Sequence, residues 1–189
     1  MQPETDLKIT VVTDLDTETS ALYYDLYVKT FGGLRQRAVA RQVLHEEEFL
    51  EEMRDPRVSK YLAWDGDEVI GLTTLTRDLK TVPWISPEYF AHHYPEQTAR
   101  NAVYYLGFTL VRHGHQQRRV FTSMIAAATE LIVAERAICA WDMCHYNDTE
   151  LGLGQSVVRM LDGEPSLTVL PIDRQTYYAA VHGATPPAG

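Results

Sequence analysis

The sequence predicts a mixed α/β fold on three observations. Short β-branched runs alternate with segments of helical period, two of those runs flank Asp65-Gly66, and residues 102–145 read as a strand, an apolar helix and a second strand. An Asp-Gly pair between strand-like runs signals an antiparallel hairpin. A strand-helix-strand crossover sets its two strands parallel. The 189 residues suit one domain, placed at 1–183 with a disordered tail over 184–189.

Residues 8–13 (Lys-Ile-Thr-Val-Val-Thr) form the first strand, and Asp14, Asp16 and Thr17 after it are N-capping types. A helix over 18–31 carries Leu22, Leu26 and Phe31 near helical spacing and closes on Gly32-Gly33. A second helix has the stripe Val39, Val43, Phe49, Leu50 and Met53 and ends at Asp55-Pro56. Its acids Glu46, Glu47, Glu48, Glu51 and Glu52 read as a solvated face, with a lip for a cationic substrate as the alternative. Strands over 58–64 and 69–75 make the hairpin. Residues 77–101, with Pro83, Pro87, Pro95, Tyr89, Phe90 and His92-His93, form an irregular insertion, too apolar for a linker and suited to a flap or pocket wall.

The strand over 102–111 has Gly107 at its middle, where strands bulge or splay. The helix over 120–135 is apolar nearly all round and therefore buried. A strand at 137–145, a short helix at 150–161 and strands at 167–172 and 177–181 complete a central mixed sheet of about seven strands flanked by about four helices.

Composition narrows the function classes. With 45% hydrophobic and 23% charged residues, the chain is neither fibrous nor wholly disordered. Seventeen Lys and Arg against 26 Asp and Glu give a net charge of −9, which disfavours nucleic acid as a partner. The two cysteines, Cys139 and Cys144, and an opening segment without an apolar core predict a cytoplasmic protein without disulfides. No apolar stretch approaches the roughly 20 residues of a spanning helix, so no membrane partner is expected.

Within this acidic chain Arg112, His113, His115, Arg118 and Arg119 form one dense basic cluster, at the entrance to the apolar helix. A helix N-terminus presents unpaired N–H groups and a positive dipole end, and guanidiniums there add a site for phosphate. A solvated basic turn is the plainer alternative. His92-His93 with Glu88 and Glu96 lack the helical spacing of a metal site, Cys139 and Cys144 project from opposite faces of a strand, and Gly152-Leu-Gly154 lacks the third glycine of a dinucleotide turn.

Over residues 8–182 the sequence resembles the GNAT superfamily of N-acyltransferases. The likeness rests on the order of elements, on the hairpin Tyr61-Leu-Ala-Trp-Asp-Gly-Asp-Glu-Val-Ile-Gly71, and on Leu110-Val-Arg-His-Gly-His-Gln-Gln-Arg-Arg-Val-Phe-Thr-Ser-Met-Ile125. In the family pattern Arg/Gln-x-x-Gly-x-Gly/Ala, Gln116 takes the first position, Arg119 the first glycine and Phe121 the second small residue. Two bulky side chains therefore stand where a glycine backbone would approach a pyrophosphate. Either guanidiniums replace part of that cradle or the site is weak or lost.

The resemblance implies acetyl-CoA, or another acyl-CoA, as co-substrate, with no metal. Its pyrophosphate would meet Gln116, Gln117, Arg118, Arg119, Val120 and Phe121, and its pantetheine arm the backbone of Leu110 and Val111 together with Asn147. The implied reaction is direct attack by a primary amine of a small molecule or peptide. Such aminolysis needs a base for the ammonium and an acid for the leaving thiolate. The family's strand carboxylate is missing from Tyr104-Tyr105-Leu106-Gly107 and its helix tyrosine falls near Gly154. Tyr105 and His145 are the candidates that remain, with Asp142 and Tyr146 beside them. Two alternatives stay open. One is a long-chain acyltransferase related to acyl-homoserine-lactone synthases, with residues 82–94 shaping an acyl pocket and an acyl carrier protein meeting Arg112, Arg118 and Arg119. The other is a non-catalytic module of the same fold. Homodimers are common in the family.

Overall fold

A computed structural model describes residues 7–114 and 117–183. Its sheet runs in the spatial order β1 (Leu7–Val12), β2 (Val58–Asp65), β3 (Glu68–Thr76), β4 (Val103–Val111) and β5 (Ile138–Ala140). The first four strands pair antiparallel, and β5 joins β4 in parallel. The β2–β3 hairpin turns where the sequence places it, with Gly66 at φ 61°, a conformation open to glycine at little cost.

Helices α1 (Thr17–Phe31) and α2 (Glu46–Arg54) cover one face of the sheet, and α5 (Gln117–Ala134) covers the other. Between β3 and β4 lie α3 (Pro87–His93) and α4 (Pro95–Ala99); α6 (Leu153–Leu161) closes the chain's helices. Asp16 starts α1 by accepting from the Thr19 amide at 2.8 Å, and Ser86 caps α3 ahead of Pro87 at its first position. The α1/α2 side packs Tyr27, Phe49, Met53, Leu72 and Leu110; the α5 side packs Ala63, Val111, Val120 and Met124. Burial of each larger apolar side chain contributes roughly 1.5–3 kcal/mol.

Several expectations are corrected. Among the described residues the sheet has five strands rather than seven, and there are six α-helices rather than four, besides 3-10 turns at Gly32–Gln36 and Leu79–Thr81 and a π turn at Tyr146–Glu150. Residues 167–172 and 177–181 have no regular structure. Pro171 has no N–H to give a ladder, and three-residue β5 is too short a template for further strands. The predicted strand over 137–145 stops at Ala140.

Gly32 does not end α1 in a left-handed cap; at φ −54° it carries the chain into the 3-10 turn. The second helix begins only at Glu46, because the His45 amide donates to Glu48 Oε2 at 2.8 Å and starts it there. Val39 and Val43 consequently lie in the preceding loop. The insertion over 77–101 is largely helical, two of its three prolines (Pro87 and Pro95) at helix starts, and it packs Val82 and Phe90 against Val103, Tyr105 and Ala140. The tail over 184–189 lies outside the described residues. No helix among the described residues is long and apolar enough to cross a membrane.

Candidate active site

Strands β4 and β5 pair only where Val103, Tyr104 and Tyr105 face Ile138, Cys139 and Ala140. Beyond that point β4 runs on to Val111 while the chain after Ala140 leaves the sheet, so the outer edge of β4 is unpaired among the described residues. Free backbone N–H and C=O groups along a strand edge are a template for an extended, amide-bearing ligand.

The inner end of this edge is bulged. Thr73 faces Thr109 and Leu75 faces Leu106, so Gly107 and Phe108 together oppose Thr74. The strand therefore bulges at the glycine singled out in the sequence. Leu110 and Val111 lie further along the same edge, with their side chains buried on opposite faces of the sheet.

The outer end leads to the first turn of α5. Gln117, Arg118 and Arg119 are exposed there, Val120 is buried and Phe121 half-buried. The Gln117 amide nitrogen lies 3.1 Å from His113 Nδ1, and no acid occupies that turn. Gln116 lies outside the described residues. Arg112 is ion-paired with Glu68 of the hairpin.

Tyr105 and Asp142 do come together. The buried Tyr105 hydroxyl donates to Asp142, and the Trp84 indole N–H reaches the Tyr105 oxygen at 3.0 Å and Asp142 at 3.2 Å. Burial, then the Asp142 charge and its hydrogen bond, pushes the Tyr105 phenol far above its ordinary range. The group stays protonated: it can donate a hydrogen bond but is no base. The other predicted proton handler is not brought to it. The His145 side chain is 78% exposed and lies 3.9 Å from Glu150. Tyr146 accepts from Arg37, whose guanidinium stacks 4.4 Å from its ring. Asn147 is half-buried in the π turn that Tyr146 begins.

One residue was hidden in the acidic run. Glu52 is half-buried on α2, with Oε1 3.8 Å from where a β-carbon on Gly107 would stand. Burial raises its pKa, against the lowering effects of a Thr74 hydrogen bond and the Lys60 charge. The available signal was the helical period: Glu52 follows Phe49 by three residues and precedes Met53, both wholly buried, so it shares their face.

No group of three or more His, Cys, Asp or Glu stands together among the described residues. Cys139 and Cys144 are free thiols, and burial pushes Cys139 up to about 12.

Three solved structures are similar along nearly the whole chain. Ribosomal-protein-alanine N-acetyltransferase from Brucella melitensis biovar Abortus 2308 matches with a TM-score of 0.52 at 10% identity, over 93% of this chain and 99% of that one. A probable acetyltransferase matches with a TM-score of 0.51 at 17% identity, over 89% and 99%. An aminoglycoside acetyltransferase from an uncultured soil metagenomic sample matches with a TM-score of 0.50 at 11% identity, over 91% and 99%. No family model and no curated protein matches the chain. At these identities the likeness is one of fold.

Proposed function

We propose that this chain, whose fold is that of the GNAT acetyltransferases, moves an acetyl or other acyl group from an acyl-CoA to a primary amine by direct attack. The observation that carries this reading is the unpaired edge of β4, running from the first turn of α5 to the bulge at Gly107. A pantetheine arm is an extended chain with amide groups. Along this edge it can exchange hydrogen bonds with the backbone near Leu110 and Val111, and Asn147 of the π turn is the side chain proposed to meet the same arm.

The residues present fit the other end of the ligand in a modified way. Arg119 and Phe121 preclude a glycine cradle, so the pyrophosphate would be met by the α5 dipole, the Arg118 and Arg119 guanidiniums and the Gln117 amide, above the packed Val120. At the reacting end Tyr105 is the candidate acid: its one O–H, held by Asp142 in this structure, would turn from that carboxylate to the leaving thiolate. Calorimetric titration with acetyl-CoA tests the reading: saturable binding is expected, and no heat at millimolar ligand in protein shown to be folded overturns it.

A further inference from the structure

The acyltransferase chemistry requires a proton acceptor for the ammonium, and β4 supplies no carboxylate. A carboxylate reaches the bulge from α2 instead. Glu52 shares the inward face of that helix with Phe49 and Met53, and its oxygen stands beside Gly107 with the Thr74 hydroxyl as hydrogen-bond partner. A carboxylate withdrawn from water is ordinarily paired with a cation. Here no ion pair within 4.0 Å reaches it among the described residues. Lys60, the cation that acts on it, is wholly buried and turned elsewhere, donating to the Thr13 carbonyl at 3.0 Å and the Asp55 carbonyl at 2.7 Å.

The other surroundings leave the proton-accepting role to Glu52. From α1, Tyr27 faces it with a hydroxyl pushed up to about 12 by burial. From β3 comes the Thr74 hydroxyl, from β2 the Lys60 ammonium, and from the end of α2 the Asp55 carboxylate, which Arg57 holds by its side chain. A half-buried carboxylate that Lys60 acts on only from beyond ion-pair distance is poorly suited to holding the fold together and well suited to a cation that arrives with the substrate.

We propose that Glu52 is the base that takes the proton from the acceptor ammonium at the β4 bulge, an inference that rests on the acyltransferase reading. One N–H bond of the ammonium breaks and its proton passes to the Glu52 carboxylate. The freed lone pair forms the C–N bond at the thioester carbonyl, and the C–S bond breaks with its electron pair staying on sulfur. A second proton leaves the nitrogen for the sulfur, giving amide and thiol, and Glu52 returns its proton to water.

The test follows thiol release with acetyl-CoA and three amine probes, spermidine, kanamycin and an alanine-initiated peptide, across pH, beside calorimetric binding of acetyl-CoA. Glu52→Gln is expected to keep acetyl-CoA affinity within about threefold and to lose about 10²- to 10⁴-fold in kcat/KM. It also loses the acid limb of the pH profile, while Glu52→Asp retains part of both. Glu51→Gln, an exposed neighbour on α2, is expected to match the wild type. A Glu52→Gln rate within threefold of wild type overturns the inference and leaves the acyltransferase reading standing. A wild type that neither binds acetyl-CoA nor releases thiol with any probe overturns both. Should Glu52→Gln fail to fold, Glu52→Asp decides: an unchanged rate and acid limb in that variant count against the inference.

Discussion

Gly107 and Thr74 meet so closely across the β3–β4 bulge that a β-carbon on Gly107 would overlap the Thr74 hydroxyl oxygen, well inside van der Waals contact distance. Gly107→Ala must displace Thr74 or open the bulge, an overpacking change expected to cost about 1–3 kcal/mol. Thr74→Ala removes the oxygen and leaves its own β-carbon 3.6 Å from the new methyl group, an ordinary contact. The double variant should therefore recover most of the loss in urea denaturation. Strictly additive losses would show that the two residues do not compete for this space.

The stability of the protein should also report on Glu52. Burial raises its folded-state pKa above the ordinary 4.5, so the folded chain holds this proton more tightly than the unfolded one. The favourable contribution is full below 4.5 and is lost as pH rises through the raised folded value. Glu52→Gln has no such proton to lose. It is expected to be more stable than wild type at pH 7, less the attraction forfeited with Lys60, and the difference should close toward pH 4. Urea midpoints at both pH values check this; an equal gap at both would count against a raised pKa.

Charge reversal at the entrance of α5 separates ligand binding from folding. Arg118 is exposed and its side chain takes no part in the core, so Arg118→Glu should leave Tm within about 2 °C, as surface substitutions do. Acetyl-CoA affinity should fall about tenfold or more, because one favourable charge is replaced by a repulsive one beside the helix dipole. Calorimetry at two salt concentrations provides the measurement, with the larger loss at low salt.

Asp142→Asn should bring the Tyr105 phenol down toward its ordinary titration range, since the carboxylate charge and its hydrogen bond both hold the proton on oxygen. Burial is the larger cause, so the phenol remains above an ordinary tyrosine. Difference absorbance at alkaline pH reads the change. Tyr105→Phe is expected to cost about 0.5–1.5 kcal/mol for the lost hydrogen bonding.

Much of the fold was legible because its signals are local. Asp65-Gly66 marks a hairpin by turn chemistry, Gly107 marks a bulge by lacking a side chain, and the crossover around α5 forces β4 and β5 parallel. Tyr105 and Asp142 were readable as neighbours because both lie near the ends of adjacent strands. What stayed hidden depends on partners distant in sequence. Residues 167–181 are rich in strand formers, but a strand exists only against an edge, and β5 offers three residues interrupted from further growth. The Trp84 contact with Asp142 spans 58 residues, and nothing local in the insertion points to it. Glu52 was merged with its acidic neighbours because counting charges discards direction, whereas counting from Phe49 by helical period turns it inward.

Gly71 acts as a depth stop. A β-carbon there would stand 2.8 Å from Met124 Sδ, 2.9 Å from Val120 Cγ1 and 3.2 Å from Ala63. The first turns of α5 thus rest on β3 with no side chain between them. Because Gly71 pairs with Val111, the last residue of β4, this absent side chain sets how far the mouth of α5 stands above the end of the open edge. A larger residue at that position would have to push α5 away from β3, and with it the Arg118–Arg119 turn away from the end of the open edge.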